Sequence, residues 1–328
     1  MTIREYLKGY THKSDIMGAM SLALTLTAHL ASLALGAVSV PHVWPMLPFI
    51  VVFAFSAVRL YVLQHDCGHE SLFATRWLND AAGHFLSVFS FTPYRVMQYN
   101  HNQHHAYLGN LEHRETTEIH TMTLGEWENA SFWERLSYRV YRFPPVMLII
   151  GGVFTYFVAY RWPKNTLKIG LPGVLIHNFL LIIYVSAIWW MLGAAGLAMF
   201  ATGAILASAI GVFLVYLQHN FEDTYWDRKP NLDFRRATLA GSSSLDLGHW
   251  WDIGTGNIAY HDLHHFMPSI PSYNLRKAQK NLPEELKMHD VIRWPRAIAS
   301  FRLKLWDEQS ERLVPFPKKS AHIMIPVK

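Results

Sequence analysis

Two long stretches without a charged residue constrain the fold of this 328-residue chain more than any other feature. Residues 16–58 and 169–221 contain no Asp, Glu, Lys or Arg. A helix needs about 20 consecutive apolar residues to cross a bilayer, so each stretch is long enough for two crossings. Three prolines (Pro41, Pro45 and Pro48) interrupt the first stretch, and Gly-Ala-Ala-Gly at 193–196 interrupts the second. These breaks predict two helical hairpins.

The two hairpins predict an all-α integral membrane protein with a single domain over residues 1–328. Its four transmembrane helices are expected near residues 17–40, 46–64, 171–192 and 197–218. Two shorter apolar segments, 81–97 and 143–160, contain or border basic residues, and we expect them to be re-entrant or peripheral. The alternative, buried helices in a large soluble core, is disfavoured because two separate charge-free stretches are present.

The basic residues predict the orientation of the chain in the membrane. Both predicted hairpin turns lack Lys and Arg, whereas the flanking segments carry nearly all of them. By the positive-inside rule, the N-terminus, residues 65–168 and the C-terminal third should face the cytoplasm. The net charge of +5 is then expected to meet anionic membrane lipids and not nucleic acid.

Composition excludes several other classes of protein. Charged residues make up 16% of the chain, well below the roughly 25% of an ordinary soluble domain. The single cysteine excludes a disulfide framework, a cysteine-bound iron–sulfur cluster and a four-cysteine zinc site.

Three clusters, the histidine boxes, hold eight of the 19 histidines. They are His65-Asp66-Cys67-Gly68-His69, His101-Asn102-Gln103-His104-His105 and His261-Asp262-Leu263-His264-His265. On a helix, residues i and i+4 share a face and residue i+3 lies beside them, so the imidazoles of each box should project together. Two copies of His-x-x-His-His exceed what chance produces at this histidine content, and the pattern therefore predicts metal binding.

A ninth histidine, His219, directly follows the predicted fourth span, as His65 follows the second. The boxes then lie at cytoplasmic helix ends, where imidazole avoids the cost of the bilayer centre. Eight or nine imidazoles exceed the three or four that one tetrahedral zinc uses, and would fill two metal ions with four or five nitrogens each. All-nitrogen ligation suits Fe, Cu, Ni or Zn without choosing among them. We therefore expect a cytoplasmic helical cap that carries a dimetal site.

Other polar residues are expected to support the boxes or to lie outside the site. The carboxylates that could orient the imidazoles are Asp66, Asp262, Glu222, Asp223 and Asp246. Two isolated histidines, His29 and His177, are expected to make helix contacts. His249, beside Trp250 and Trp251, is expected to be interfacial, and Cys67 is expected to pack.

Further motifs surround the boxes. They are Glu70-Ser71-Leu72-Phe73, Gln218-His219-Asn220-Phe221-Glu222-Asp223-Thr224-Tyr225-Trp226, Gly256-Asn257-Ile258-Ala259-Tyr260 and Pro268-Ser269-Ile270-Pro271-Ser272-Tyr273. With these motifs, the chain from about residue 60 to 281 resembles the integral-membrane fatty acid desaturase family. It is most similar to bacterial acyl-lipid desaturases that lack a fused electron-transfer domain.

The resemblance implies a non-haem di-iron centre (two Fe ions, Fe2+/Fe3+) with O2 as co-substrate. The implied metal-ligating and catalytic residues are His65, His69, His101, His104, His105, His219, His261, His264 and His265. It also implies four transmembrane helices in a bacterial inner membrane, with the active site facing the cytoplasm. Val215 stands where some relatives have a water-linked Asn, and His261 stands where front-end desaturases carry Gln.

The activity that the resemblance implies is O2-dependent desaturation of a lipid acyl chain held in an apolar tunnel. The sequence has no Gly-rich flavin or nicotinamide fingerprint and no His-Pro-Gly-Gly haem signature, so an external donor such as a ferredoxin is expected. A membrane hydroxylase or ketolase acting on fatty acyl, alkane or carotenoid substrates remains open. A zinc-dependent hydrolase of lipid amides or esters and a membrane metal carrier are the further alternatives.

Overall fold

The computed structural model describes residues 1–40, 42–114, 119–161, 167–287 and 290–317. The predicted cytoplasmic segment 65–168 and the predicted domain 1–328 therefore extend partly outside the described residues. The helices are α1 (Ile3–Lys8), α2 (Asp15–Val38), α3 (Val43–Gly68), α4 (Arg76–Leu86), α5 (Tyr94–Ala106), α6 (Leu124–Asn129), α7 (Phe132–Tyr141), α8 (Gly152–Phe157), α9 (Leu171–His219), α10 (Phe234–Ala240), α11 (His249–Gly254), α12 (His261–Phe266), α13 (Ser272–Lys280) and α14 (Trp294–Ser300). A π-helical turn (Val146–Gly151) precedes α8, and 3-10 turns occupy Ala159–Arg161 and Glu284–Leu286.

Three helices in the described part of the chain, α2, α3 and α9, are long and apolar enough to cross a membrane. A fourth candidate exists if Phe132–Tyr141 and Val146–Arg161, which meet at a bend of 75°, form one span. The α2 and α3 helices overlap the first two predicted spans. However, α3 continues to Gly68, so His65 lies in its last turn and not after its end. The expectation failed there because no helix-breaking residue separates the apolar run from the first box.

The α9 helix contains 49 residues, which would measure about 73 Å if straight, against a hydrocarbon core of about 30 Å. It breaks at Gly193, whose φ of 60° and ψ of −153° are accessible only to glycine. The rings of Tyr184 and Phe200 lie 5.9 Å apart, whereas the same sequence separation spans about 24 Å in a straight helix. The α9 helix therefore folds back on itself within the predicted turn.

Two buried histidines connect the helices, as expected for residues outside the boxes. The His29 imidazole of α2 lies 3.1 Å from Ser56 Oγ of α3 and 3.2 Å from the Tyr184 hydroxyl of α9. His177 of α9 accepts a hydrogen bond of 2.8 Å from the Arg161 guanidinium. Both rings therefore stabilise contacts between helices.

A small sheet corrects the all-α expectation. Strand β1 (Met122–Thr123) is parallel to β2 (Leu305–Asp307), which is antiparallel to β3 (Arg312–Val314). Met122 lies opposite Leu305, and Leu305 lies opposite Val314. Strands of two or three residues are too short to show alternation in the sequence, so the pattern could not predict them.

The two shorter apolar segments adopt broken helical structure. Residues 81–97 contain the end of α4, a turn and the start of α5, while residues 143–160 contain the π-helical turn and α8. They expose apolar side chains such as Phe85, Ile149 and Ile150, which suits contact with lipid. A re-entrant or peripheral position for these segments stays a prediction.

Candidate metal centre

Contacts between α3 and α5 place the first two boxes side by side. The Tyr94 hydroxyl donates to the Cys67 carbonyl at 3.0 Å, and the Gln98 amide donates to the Gly68 carbonyl at 2.9 Å. Both acceptors belong to the last turn of α3, whose carbonyls have no partner within the helix. The start of α5 therefore caps the end of α3 and aligns the imidazoles. Cys67 is buried, as expected for a packing residue.

A left-handed turn brings the third box against the first. Gly256 and Asn257 have positive φ angles of 59° and 62°. A Cβ on Gly256 would lie 3.1 Å from Val62 Cγ1, so glycine permits a close approach to α3. The chain then enters α12, where His261 donates its backbone N–H to the Ser243 carbonyl at 3.2 Å.

The nine predicted histidines lie together in two groups, within each of which one ring nitrogen per residue is within 4.8 Å of the others. The five-histidine group consists of His65, His69, His101, His105 and His264. The four-histidine group consists of His104, His219, His261 and His265. In the second and third boxes, the i, i+4 pair joins one group and the remaining histidine joins the other. The imidazoles of these two boxes thus divide between the groups, whereas both histidines of the first box join the five-histidine group.

The spacing in the five-histidine group fits ligands of a common ion. His101 Nε2 lies 2.8 Å from the Nε2 atoms of His65 and His105, and His105 Nε2 lies 3.2 Å from His264 Nε2. Two nitrogens each about 2.1 Å from a metal, at a right angle, are about 3.0 Å apart. Within the described structure, the buried Nε2 of His69 has no hydrogen-bond partner. A metal ion would satisfy this atom.

The four-histidine group has the same spacing. His265 Nε2 lies 2.9 Å from His261 Nε2 and 3.1 Å from His104 Nε2. His219 joins from the end of α9, and its Nδ1 lies 3.1 Å from the Gly241 carbonyl oxygen. A protonated Nδ1 that donates to this carbonyl would leave Nε2 as the ligand atom. The donor set therefore fits a second ion.

Burial favours the neutral form of four of these imidazoles, and the neutral form is the one that binds metal. Burial, reinforced by neighbouring imidazoles, holds the pKa values of His101, His261 and His264 well below the ordinary value for histidine. The same causes lower the pKa of His265. Proton release on metal binding is therefore small for these four residues.

Two of the five carboxylates proposed to orient imidazoles are buried near them. Asp66 Oδ1 lies 3.4 Å from His65 Nδ1, and Asp66 Oδ2 accepts a 2.7 Å hydrogen bond from the Ser272 N–H. Asp262 Oδ1 accepts a 2.6 Å hydrogen bond from the Ser244 hydroxyl, and burial raises the pKa of Asp262 to about 6. Asp66 thus contacts a box imidazole directly, whereas Asp262 bonds to a serine.

The other three carboxylates lie at the surface and form ion pairs there. The pairs are Glu222 with Arg312, Asp223 with Arg296 and Asp246 with Arg293. Each of the three pairs with an arginine, as a surface carboxylate does, so the structure does not support a role for them in orienting imidazoles. His249 is exposed and belongs to neither group, as expected for a histidine that is not a ligand; its interfacial position stays a prediction.

The surroundings of His219 contain a residue that sequence reasoning missed. Arg142 is fully buried and donates to Asn220 Oδ1 at 2.9 Å and to Thr121 Oγ1 at 3.1 Å. Its guanidinium carbon also lies 5.4 Å from the centre of the Tyr216 ring. The side-chain oxygen of Asn220 is therefore occupied by its hydrogen bond with Arg142. No sequence signal separates Arg142 from the basic residues of α7, which are at least partly exposed.

A cavity of about 180 Å³ adjoins both histidine groups. The histidines in its wall are His65, His101, His104, His219 and His261. Much of the remaining wall is apolar and includes Val58, Val62, Met147, Val212 and Val215. Val215, at the position of the water-linked Asn of some relatives, thus presents an apolar side chain.

Three tyrosines and a glycine shape another part of this cavity. Tyr61, Tyr156 and Tyr160 line it, and the hydroxyls of Tyr61 and Tyr160 lie 3.1 Å apart. A Cβ at Gly211 would overlap the Tyr156 hydroxyl, so the absence of a side chain there leaves room for this ring.

Long apolar helices and two groups of clustered imidazoles are typical of a membrane protein with a histidine-rich site that could hold metal ions. Comparison with known proteins identifies the family. The sequence model of the family described as "Fatty acid desaturase" matches residues 41–297, more than half of the chain. The chain therefore belongs to the fatty acid desaturase family and is an oxidoreductase of that type. The resemblance seen in the sequence is confirmed.

Individual relatives agree with this assignment. A "Fatty acid desaturase" of Bacillus subtilis (strain 168) is 32% identical over 81% of this chain and 76% of its own length. The "sn-1 oleoyl-lipid 12-desaturase" of Anabaena variabilis is 24% identical over 76% of this chain and 73% of its own. The "sn-1 acyl-lipid omega-3 desaturase (ferredoxin)" of Nostoc sp. (strain 36) is 27% identical over 67% of this chain and 62% of its own.

Proposed function

We propose that the protein introduces a double bond into a lipid acyl chain in an O2-dependent reaction, at two iron ions held by the nine histidines. The single observation that carries this proposal is the convergence of both histidine groups on one largely apolar cavity. In the overall reaction, adjacent methylenes lose two hydrogens, a donor supplies two electrons and two protons, and O2 becomes two waters.

The five-histidine group would hold one ion and the four-histidine group the other. When bound, the iron pair supplies the oxidising power needed for unactivated C–H bonds, which have no acidic proton. The neutral imidazoles provide nitrogen ligands, and the Asp66 carboxylate and the Gly241 carbonyl lie beside the Nδ1 atoms of His65 and His219. These two oxygens would orient the rings through their Nδ1 atoms, leaving Nε2 to face the metal.

The wall of the cavity would position the acyl chain relative to the histidines. Val58, Val62 and Val212 offer apolar surface to the methylenes of the chain and exclude water from the space beside the imidazoles. The ring of Tyr156, held against Gly211, would limit how far the chain extends. The protein thereby selects which carbons lie nearest the metal site.

The topology that we propose has four crossings, formed by α2, α3 and the two halves of α9, under a cytoplasmic helical cap. The reversal at Gly193 supports it, because it returns the end of α9 to the side of the membrane where α3 ends. The protein would then lie in a bacterial inner membrane with its active site facing the cytoplasm. Tags inserted after Pro45 and Ala195 should be periplasmic, and a tag at Ser310 should be cytoplasmic.

An external one-electron donor completes the proposal. The name of the Nostoc relative specifies ferredoxin, and the sequence of this chain has no motif for a flavin or nicotinamide cofactor. We therefore propose that a ferredoxin or a similar protein reduces the metal site.

Expression in a host that lacks polyunsaturated lipids tests the function. Mass spectrometry of total acyl chains should detect chains that have lost two hydrogens, with the double bond at one position, only when O2 is present. Chains that gain an oxygen would instead identify a hydroxylase. Purified protein that contains no iron and consumes no O2 when supplied with a reductant would contradict the proposal.

A further inference from the structure

A second concave site, the cationic pocket, lies outside the two histidine groups. It encloses about 500 Å³ and is lined by Arg59, Arg276, Lys277, Lys280 and His249 together with uncharged residues. No carboxylate contributes to this lining within the described ranges. The pocket therefore concentrates positive charge in a concave surface, which favours an anionic ligand.

Most of this charge is uncompensated. Only Arg276 has an acidic partner in the described part of the chain, Asp252, at 2.8 Å. Arg59 donates to Thr25 Oγ1 at 3.0 Å and to the Ile253 carbonyl oxygen, which are neutral acceptors. Lys277 and Lys280 are exposed and make no ion pair among the described residues. Three positive charges thus remain for a ligand.

The cationic pocket adjoins the cavity beside the metal site. Arg59 follows Val58 on α3, and Asn257 precedes Ile258; in each pair one residue lines the pocket and the other lines the cavity. A Cβ on Gly256 would contact both Val62 and Arg59. One layer of chain therefore separates the two sites.

Exposed apolar side chains border the pocket and place it at the level of the membrane surface. The α11 helix exposes 56% of Trp250 and 54% of Ile253, and the Trp250 ring lies 5.6 Å from the Phe55 ring of α3. Tryptophan is enriched where proteins meet the boundary between lipid and water. An anion at this depth, beside exposed apolar surface, is most simply the phosphate of a membrane lipid.

We propose that the cationic pocket binds the phosphate of an anionic membrane phospholipid and so fixes α11 and α13 of the cap against the leaflet. Arg59 supplies a positive charge that its hydrogen bonds to Ser21, Thr25 and Ile253 hold in place, whereas the exposed lysines of α13 supply flexible charges. The pocket contains no member of either histidine group, so this binding is independent of metal content and of turnover.

Lipid titration of the purified full-length protein in neutral detergent tests the proposal. Fluorescent phosphatidylglycerol should bind roughly tenfold more tightly than a neutral diacylglycerol glycolipid with the same chains. The K277Q/K280Q variant should lose this preference, and K277R/K280R should keep it. The matched control, K229Q/R235Q, removes two exposed charges elsewhere and should bind like the wild type.

Four results would overturn the proposal. They are equal binding of the two lipids, equal weakening by the control pair, displacement of the lipid by millimolar inorganic phosphate, and displacement by an acidic ferredoxin. The third would assign the pocket to free phosphate, and the fourth would assign it to the electron donor. None of these readouts requires desaturase activity, so failure here is distinguishable from failure of the proposed function.

Discussion

The two histidine groups share the second and third boxes but differ in their surroundings. All four members of the four-histidine group are buried, whereas His69, His101 and His105 of the five-histidine group are only partly buried. Near the five-histidine group, the Asp66 carboxylate contacts His65; in the four-histidine group, His219 faces the Gly241 backbone carbonyl. The five-histidine group is therefore more open and has a carboxylate beside one of its rings, whereas the four-histidine group is more fully buried and has a backbone carbonyl in that place.

This difference shows how an i, i+3, i+4 box can serve two ions. Each His-x-x-His-His sequence places a pair of imidazoles in one group and its third imidazole in the other, so α5 and α12 bridge the groups. The groups then differ through their remaining members, which come from α3 in one case and α9 in the other. Loss of one ligand should leave four imidazoles in the five-histidine group but only three in the four-histidine group.

Of the changes considered, removing one imidazole from either group should lower the desaturase activity most. H264A and H104A are each expected to lower activity more than roughly 100-fold, because the proposed oxidation would require both ions. Iron analysis of the purified proteins should show a greater loss of metal in H104A. Membrane insertion should be nearly unchanged.

The control for this comparison is H12A, which alters an exposed histidine outside both groups. Activity at the wild-type level in H264A or H104A would disprove the shared site. Equal iron loss in the two variants would remove the proposed difference between the groups.

Narrowing the cavity tests whether it holds the acyl chain beside the two histidine groups. G211L should displace the Tyr156 ring into the cavity and lower activity on long acyl chains roughly tenfold through loss of positioning. The iron content should stay at two ions per chain. Competition between acyl chains of different length, followed by mass spectrometry, measures the effect.

G173L is the matched control, because a Cβ at Gly173 meets no atom within 4 Å. If G211L loses iron, the change has damaged a metal group and has not simply narrowed the cavity. If G211L processes all chain lengths as the wild type does, the cavity is not the acyl site.

Changing Asp66, the carboxylate beside the five-histidine group, should have a smaller effect, which is on iron binding. D66N removes the negative charge near His65 and should weaken iron binding in that group by about tenfold, at the lower end of the range for such partners. Titration with an iron chelator should show one ion released earlier than in the wild type. D223N, at a surface ion pair, should show the wild-type release profile, and an identical profile for D66N would contradict the role of Asp66.

Acidification of metal-free protein should have the smallest effect, a fall in Tm of several degrees. The pKa values of His101, His261, His264 and His265 are lowered in the folded state, while the unfolded value is about 6.5. Below pH 6.5 the unfolded chain therefore binds more protons, so stability falls as pH decreases and is retained above about pH 7.5.

Thermal unfolding measured between pH 8 and pH 5 checks this prediction. The metal-loaded protein should lose less stability until acid releases the metal, because bound imidazoles cannot accept a proton. A Tm of the metal-free protein that rises on acidification would show that the imidazoles are not held neutral.

Much of the candidate site could be predicted because its determinants are local. The spacing of His101, His104 and His105 places three imidazoles on one face of any helix, whatever surrounds it. The hydrogen bonds that align α5 with the end of α3 join distant segments of the chain, so the sequence did not indicate them. Asp66 could be suggested because it adjoins His65, whereas Gly241 and Arg142 carry no signal.

The sequence by itself determined the apolar helices, the break at Gly193 and the nine histidines, because helix periodicity and backbone freedom are properties of neighbouring residues. Only the tertiary structure decided the division of the boxes into two groups, the burial of Arg142, the small sheet and the residues that line the cavity. These features depend on which distant surfaces pack together. The physical reason is that packing sums weak contacts over the whole chain, whereas a local pattern specifies only the face that a side chain occupies.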